Sequence, residues 1–247
     1  MQKLKELYRS TYAGESIVTD LTYEGGEWTP VTEMISNAVF NVHTTSQAIV
    51  IGNGQSRSNF DLGFITRHRG GLLAADKLQS YGCNALYRDF TADFLVAVGP
   101  AIIDEIAGSG YTGDNIVYTN AQYIQKYPGK FYLIPQNLTY DAGALAVYLA
   151  CFDGHTKVFL LGFDQNHGVE PTNNIYKDTP GYPTSNMTEN NTAFFSQTLS
   201  AVISTYSQVD FVRVMPTKDY WMEDSLQRLP NLRQIDFNQF AIEADLG

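Results

Sequence analysis

The chain has few charged residues and few cysteines, and both shortages limit what it can be. Charged residues make up 17% of the 247 residues and the net charge is −10, which argues against a nucleic-acid-binding surface because such surfaces need a basic stripe. The two cysteines, Cys83 and Cys151, give no disulfide framework, so a reducing, cytoplasmic location is expected. No apolar run approaches the roughly 20 residues that span a membrane, so no transmembrane segment is expected.

The chain also lacks the usual signatures of metal and dinucleotide sites. Its histidines are scattered without HxxxH spacing, and it has no Asp-x-Asp motif. From Gly52, the GxGxxG fingerprint would need a glycine where Arg57 stands. An oxidoreductase of the Rossmann class is therefore disfavoured.

What the chain does contain is an apolar run, residues 48–51, that ends in the turn Gly52-Asn53-Gly54, with Ser56 close behind. Glycines let the backbone take unusual dihedral angles and approach a ligand closely. Ligands of open α/β sheets bind at the carboxyl ends of the strands. This turn is the first candidate for a ligand-binding site.

Short apolar segments alternate with helical patterns from residue 48 onward. This alternation predicts an α/β domain with a Rossmann-like, mainly parallel sheet and helices on both faces. The predicted helices cover residues 100–109, 142–152 and 192–206. The predicted strands cover residues 48–51, 79–83, 94–98, 115–118, 131–134, 157–161 and 211–214.

The first 46 residues are predicted to be an N-terminal extension packed on a domain formed by residues 47–247. Helices are expected over residues 3–12 and 31–40, with irregular chain over 14–30 and a turn at Gly25-Gly26. Residues 162–191 lack periodicity and are rich in Asn, Thr, Pro and Gly, which is typical of a lid. The lid is predicted at about residues 168–190.

Another predicted strand-end turn follows residues 79–83 and contains Asn84, Tyr87 and Arg88. Asn84 is placed to read a base or a ribose, and Tyr87 and Arg88 to bracket a sugar or a phosphate. The alternative is structural: Asn84 caps a helix and Arg88 pairs with Asp89.

A third turn opens the apolar helix of residues 142–152. Small residues, Ala142 and Gly143, leave the N–H groups at the helix start free to hold a phosphate near the positive end of the helix dipole. Asp141 precedes them and is a natural N-cap, but its charge would repel a phosphate beside it.

The fourth turn, after residues 157–161, contains Gly162 and Asp164. Asp164 suits a ribose hydroxyl or the orientation of a base. His167 lies nearby, and an imidazole there fits a general base. The alternative is that His167 is a solvated loop residue.

In chain order, these motifs resemble the bacterial sialyltransferases of the Campylobacter lipooligosaccharide type, glycosyltransferase family 42, and the motility accessory factor family DUF115. The shared pattern is GNGxS at 52–56, Asn84, Asp141-Ala-Gly and Leu161-Gly-Phe-Asp. It extends over about residues 47–240. The segment GCNALYRDF is also similar to uncharacterised marine phage proteins.

The resemblance implies a glycosyltransferase that needs no cofactor and uses a nucleotide-activated sugar, such as a CMP-linked nonulosonic acid, with a glycan or protein as acceptor. It implies that lid tyrosines Tyr176 and Tyr182 assist the departing phosphate. Carried over by position, the residues that surround the donor are Gly52, Asn53, Gly54, Ser56, Asn84, Ala142, Gly143, Gly162 and Asp164.

The chain departs from that family in its lid, which has no histidine at the expected place. His167 is therefore the expected general base. The alternative is a non-catalytic nucleotide-binding module, such as a phage structural or accessory protein with the same fold. The sequence leaves oligomer formation open.

Overall fold

A computed structural model describes residues 2–5, 9–10, 15–36, 45–67, 75, 77–164, 174–182 and 189–246. Its N-terminal part forms an antiparallel sheet of β1 (Gln2–Lys5), β2 (Arg9–Ser10), β3 (Glu15–Glu24) and β4 (Glu27–Ser36). Strand β3 is central, because it pairs with the other three.

The helices predicted over residues 3–12 and 31–40 and the irregular chain predicted over 14–30 are therefore wrong wherever these residues are described. The turn at Gly25-Gly26 is confirmed, and both glycines have positive φ. Residues 15–36 form strands rather than helices because their apolar residues recur with a period of two, which places them on one face of a strand pair. Facing pairs in the register are Ile17 with Met34, Leu21 with Pro30, and Tyr23 with Trp28.

The larger sheet confirms the predicted α/β fold. In the described part of the chain it has eight strands, and every neighbouring pair is parallel. The strands are β5 (Gln47–Ile51), β6 (Gln79–Cys83), β7 (Phe94–Val96), β8 (Ile116–Thr119), β9 (Tyr132–Leu133), β10 (Lys157–Leu161), β11 (Asp210–Met215) and β12 (Leu232–Asp236). The sequence did not predict β12.

Helices cover both faces of this sheet, as expected for a parallel sheet whose strands are buried on both sides. In chain order they are α1 (Gly63–Thr66), α2 (Pro100–Ser109), α3 (Ala121–Lys126), α4 (Ala142–Phe152), α5 (Glu189–Thr205), α6 (Asp224–Gln227) and α7 (Phe237–Glu243). The core on one face includes side chains of α2, α3 and α7, and the core on the other includes those of α4, α5 and α6. None of the described helices is long and apolar enough to cross a bilayer.

The strand order reverses at the centre of the sheet, which is where open α/β sheets form a ligand-binding crevice. It reads β12-β11-β10-β5-β6-β7-β8-β9, so the chain leaves β5 towards β6 and later returns to the other side of β5 with β10. In open α/β sheets, ligands bind outside the carboxyl ends of the strands where the order reverses. The loops that follow β5 and β10 flank this point.

Candidate functional site

The loops after β5 and β10 are joined by backbone hydrogen bonds. Gly52 N–H donates to Leu161 O at 2.8 Å, and Gly54 N–H donates to Gly162 O at 2.9 Å. A Cβ at Gly52 would lie 2.5 Å from Gly162 O, and one at Gly54 would lie 2.5 Å from Asp164 Cγ. The two glycines of the turn therefore permit a close approach between two loops of the chain.

Asp164 stabilises this junction by accepting hydrogen bonds across it. Its carboxylate accepts a hydrogen bond from Ser56 N–H at 2.8 Å and another from the Ser56 hydroxyl. Burial raises the pKa of Asp164 above its usual value, and the bonds from Ser56 and the positive charge of Arg213 act in the opposite direction. The N–H and O–H donors of Ser56 are thus used inside the protein, on the Asp164 carboxylate.

Arg213 is a buried cation behind Asp164. It stands on β11 with 1% of its surface exposed. Its Nε donates to Phe163 O, and its Nη1 donates to Trp221 O and to Gln234 Oε1. Its Nη2 has no hydrogen-bond partner among the described residues. Burial lowers the pKa of Arg213 to about 10, so the guanidinium is charged at neutral pH.

Two asparagines mark the ends of β5 and β6. Asn53 is 9% exposed, and its Nδ2 donates to Cys83 O and to the Tyr182 hydroxyl at 3.3 and 3.4 Å. Its Oδ1 has no partner in the described part of the chain. Asn84 has a φ of 46°, and its Oδ1 accepts from Val98 N–H at 3.2 Å. Asn84 thus ties the end of β6 to the loop after β7.

At the start of α4, the predicted phosphate position is filled by Asp141. Its carboxylate accepts from Gly143 N–H at 2.9 Å, from Ala144 N–H at 3.1 Å and from the Thr198 hydroxyl. Asp141 is therefore the N-cap of the helix, and burial raises its pKa. A Cβ at Gly143 would lie 3.4 Å from the Phe163 ring, so the small residue allows close packing of α4.

Residues 174–182, which we name the strap, cross the turn after β5. Asn174 bridges to Gly54, and Ile175 N–H donates to Asn53 O at 2.9 Å. Tyr182 is held at its hydroxyl by the Asn53 side chain and by a backbone hydrogen bond from Ala85. The strap therefore covers the carboxyl ends of β5 and β6.

Two arginines anchor the strap. Arg57 Nη2 donates to the Tyr176 hydroxyl at 3.1 Å, and this hydroxyl donates to Asp89. Arg88 Nη1 donates to Thr179 Oγ1 at 2.8 Å and Nη2 donates to Pro180 O at 2.9 Å.

The ion pairs of these arginines differ from the structural alternative considered for Arg88. Arg88 pairs with Glu105, 2.5 Å apart, whereas Asp89 lies 3.8 Å from Arg57. The pairing of Arg88 with Asp89 is therefore wrong. The Arg88 guanidinium points towards the strap and α2. The carboxylate of Glu105, on α2, is therefore the one that pairs with Arg88.

Tyr176 and Tyr182 are hydrogen-bond donors at neutral pH. Burial raises the pKa of both phenols, and the bond to Asp89 raises that of Tyr176 further. Both rings also pack against each other, with centroids 6.0 Å apart. The lid tyrosines expected from the resemblance thus lie beside the crevice as neutral hydroxyls.

The structure brings most of the predicted site residues to the carboxyl edge of the sheet and leaves one of them undescribed. His167 and most of the predicted lid lie outside the described residues. Asn84 lies one strand from the central junction. Ala142 and Gly143 open α4, where Gly143 packs near the Phe163 ring. Residues joined directly around the junction are Gly52, Asn53, Gly54, Ser56, Gly162, Asp164, Tyr176 and Tyr182.

The sequence analysis missed Arg57 and Arg213 as site residues. Arg57 is 3% exposed, and its Nε also donates to Gly52 O at 2.7 Å. A signal existed for Arg213, because a charged residue interrupts an otherwise apolar strand that is buried on both faces. Such a residue must find partners inside the protein.

Within the described ranges, no group of three or more His, Cys, Asp or Glu side chains could hold a metal ion. Comparisons with protein-family models, with curated proteins and with solved structures find no match to this chain.

Proposed function

We propose that the chain is a glycosyltransferase that binds a nucleotide-activated sugar in the crevice at the carboxyl ends of β5, β6 and β7. The observation that carries the proposal is the orphaned Oδ1 of Asn53 at the point where the strand order reverses. A buried acceptor without a partner costs free energy, and an N–H of a base or an O–H of a ribose would satisfy it.

Three arginines at the proposed site favour an anionic ligand, although Arg88 pairs with Glu105 and Arg57 lies 3.8 Å from Asp89. The chain as a whole carries a net charge of −10, yet Arg57 and Arg88 hold the strap beside the crevice and Arg213 lies behind Asp164. Arginine is well suited to phosphate because its donors form a fixed fork. The protonated Tyr182 hydroxyl is a further donor for the charge that develops on a departing phosphate, whereas the Tyr176 hydroxyl donates to Asp89.

The resemblance to sialyltransferases makes a CMP-linked nonulosonic acid the first donor to test. Its single phosphate places less charge in the site than a sugar diphosphate would. The acceptor would be a hydroxyl of a glycan or of a protein. His167, the base predicted from the sequence, lies outside the described residues.

A non-catalytic nucleotide-binding protein, such as a phage structural or accessory protein, is the second candidate. The observation in its favour is that Asp141 and Asp164 accept the backbone N–H groups at the start of α4 and in the turn after β5. A phosphate would have to compete with these carboxylates for the same donors.

Calorimetric titration with CMP, CDP, UDP and GDP tests the proposal. We expect CMP to bind and Asn53→Ala to weaken binding by about tenfold or more, since it removes a buried hydrogen-bonding group. The matched control is Asn115→Ala, because Asn115 holds a loop carbonyl just before β8, at the opposite edge of the sheet.

Three outcomes separate the candidates. Binding of CMP together with release of CMP from CMP-N-acetylneuraminic acid supports the transferase. Binding without turnover supports the non-catalytic protein. Failure of all four nucleotides to bind at millimolar concentration contradicts both.

A further inference from the structure

A small cavity lies between α4, α5 and the loop after β10. Its volume is about 40 Å³, and its walls include Asp141, Asp164, Phe163 and Phe195. This volume accommodates a few water-sized groups. A hydroxyl or a hydroxymethyl group fits it, whereas a nucleotide does not.

Both carboxylates in the wall keep capacity to accept hydrogen bonds. Asp164 receives one bond from Ser56 on each oxygen and a further backbone bond from Gln55, and the second carboxylate oxygen of Asp141 receives one from Thr198. A carboxylate oxygen has about two acceptor positions. The cavity therefore favours a neutral ligand that donates hydrogen bonds, and two negative charges disfavour an anion.

An aromatic pair lies at the same place. Phe194 and Phe195, near the start of α5, are 43% and 40% exposed, and their ring centroids are 6.4 Å apart. Phe195 also lines the cavity. Exposed aromatic rings beside polar acceptors provide an apolar surface and fixed hydrogen bonds, a combination that suits the C–H face and the hydroxyls of a sugar.

Arg213 does not line the cavity, but it is the cation that interacts electrostatically with Asp164 in the cavity wall. On a guanidinium, the Nε and Nη2 donors share one edge, and here Nε donates to Phe163 O, immediately before Asp164. The Nη2 on that edge has no partner among the described residues. Arg213 and Asp164 influence each other's pKa, but they do not form one of the ion pairs seen among the described residues.

We propose that this cavity is the acceptor subsite of the transferase, that it takes a hydroxyl of a neutral sugar stacked on Phe195, and that Asp164 is its base. The inference rests on the proposed function. In the transfer, the acceptor O–H bond breaks and its proton goes to Asp164. The acceptor oxygen bonds to the anomeric carbon of the donor, and the bond from that carbon to the phosphate oxygen breaks, so the nucleotide leaves with the electron pair.

The charged and titratable groups that face Asp164 fit this role. Arg213 favours the carboxylate, while burial favours the acid, and among the described residues Tyr220 from the loop after β11 and Asp141 from α4 are further neighbours. A carboxylate held between these influences has a raised pKa, as a general base needs. Asp164 then takes the role that the sequence assigned to His167.

Ligand-observed saturation-transfer NMR with methyl β-galactoside and methyl β-glucoside tests the subsite. We expect at least one glycoside to bind, and Phe195→Ala and Asp141→Asn to weaken binding by about tenfold or more. The matched controls are Phe64→Ala, which removes another exposed ring, and Asp114→Asn, which neutralises a carboxylate before β8. Both should leave binding unchanged.

Turnover of CMP-N-acetylneuraminic acid tests the base. Asp164→Asn should lower the turnover rate at saturating donor by about 100-fold or more, beyond any change in CMP affinity measured for the same variant by calorimetry. Full turnover by Asp164→Asn overturns the assignment. If this variant does not fold, Phe195→Ala decides the subsite alone, because this side chain is 40% exposed and its loss leaves the core of the sheet intact.

The failures of the two proposals are distinguishable. Binding of CMP without binding of either glycoside, or glycoside binding that Phe195→Ala and Asp141→Asn leave unchanged, overturns the acceptor subsite and leaves the donor crevice standing. Binding of a glycoside without binding of any nucleotide overturns the transferase.

Discussion

Replacing Gly54 by alanine should break the junction between the loops after β5 and β10. The added Cβ would lie 2.5 Å from Asp164 Cγ and 2.6 Å from Gly162 O, distances that real Cβ contacts do not reach. Gly54 has a φ of −68°, so the substitution introduces no backbone strain of its own. The entire effect should come from displacing Asp164 and the β10 loop.

The magnitude follows from two costs. Overpacking a close contact costs about 1–3 kcal/mol, and loss of the charged hydrogen bond from Ser56 adds about 1.5–3 kcal/mol. Because the neighbouring loop relaxes in part, we expect a loss of about 3 kcal/mol, which for a protein of this size lowers Tm by about 6–12 °C.

Thermal unfolding followed by circular dichroism measures this shift. The matched control is Gly108→Ala in α2, where nothing lies within 4 Å of an added Cβ. That substitution should raise stability by up to about 0.5–1 kcal/mol because alanine is the better helix former. A Tm for Gly54→Ala equal to that of the unsubstituted protein would refute the described packing of the junction.

Two further predictions concern the strap and the buried N-cap. Arg88→Lys should lose the forked contacts to Glu105 and to the strap, so amide exchange at Ile175 and Tyr182 should accelerate by about tenfold or more while the central strands stay protected; unchanged exchange of the strap contradicts this. The free energy of unfolding of Asp141→Asn, relative to that of the unsubstituted protein, should increase as the pH rises. The folded-state pKa of Asp141 is raised above 3.8 by burial, so its stability contribution is complete below that value and is lost as the pH rises through the folded pKa. Unfolding in urea from pH 3.5 to pH 7 measures the difference, and a difference that does not depend on pH would contradict the assigned burial.

The parallel sheet could be predicted from the sequence because strands buried on both faces are short continuous apolar runs. Strands β6 and β10 and helices α2 and α4 have the predicted bounds. The apolar residues of the N-terminal hairpin recur with a period of two, but threonines and charged residues interrupt this pattern, so it was harder to recognise. Its strand identity depends on cross-strand pairing with partners 3 to 21 positions away, which local periodicity does not reveal.

The site was predictable only in outline. Strand ends in a parallel sheet meet at one edge, so Asn53, Asn84 and Asp164 could be grouped from their positions alone. Their partners could not, because the bonds from Ser56 to Asp164 and from Arg88 to Thr179 join segments 108 and 91 residues apart. Whether a polar group at a strand end faces a ligand or another loop is decided by such contacts.

The central claim, that a nucleotide binds in the crevice, is tested most directly by NMR titration of the isotope-labelled protein with CMP. The account predicts that the backbone amides that shift are those of Gly52–Ser56, Asn84–Ala85 and Val98–Gly99, together with the strap. The amides at the amino ends of the same strands, such as those of Thr156 and Asn115, should stay in place. Shifts confined to the amino ends, or no shifts at saturating CMP, would contradict it.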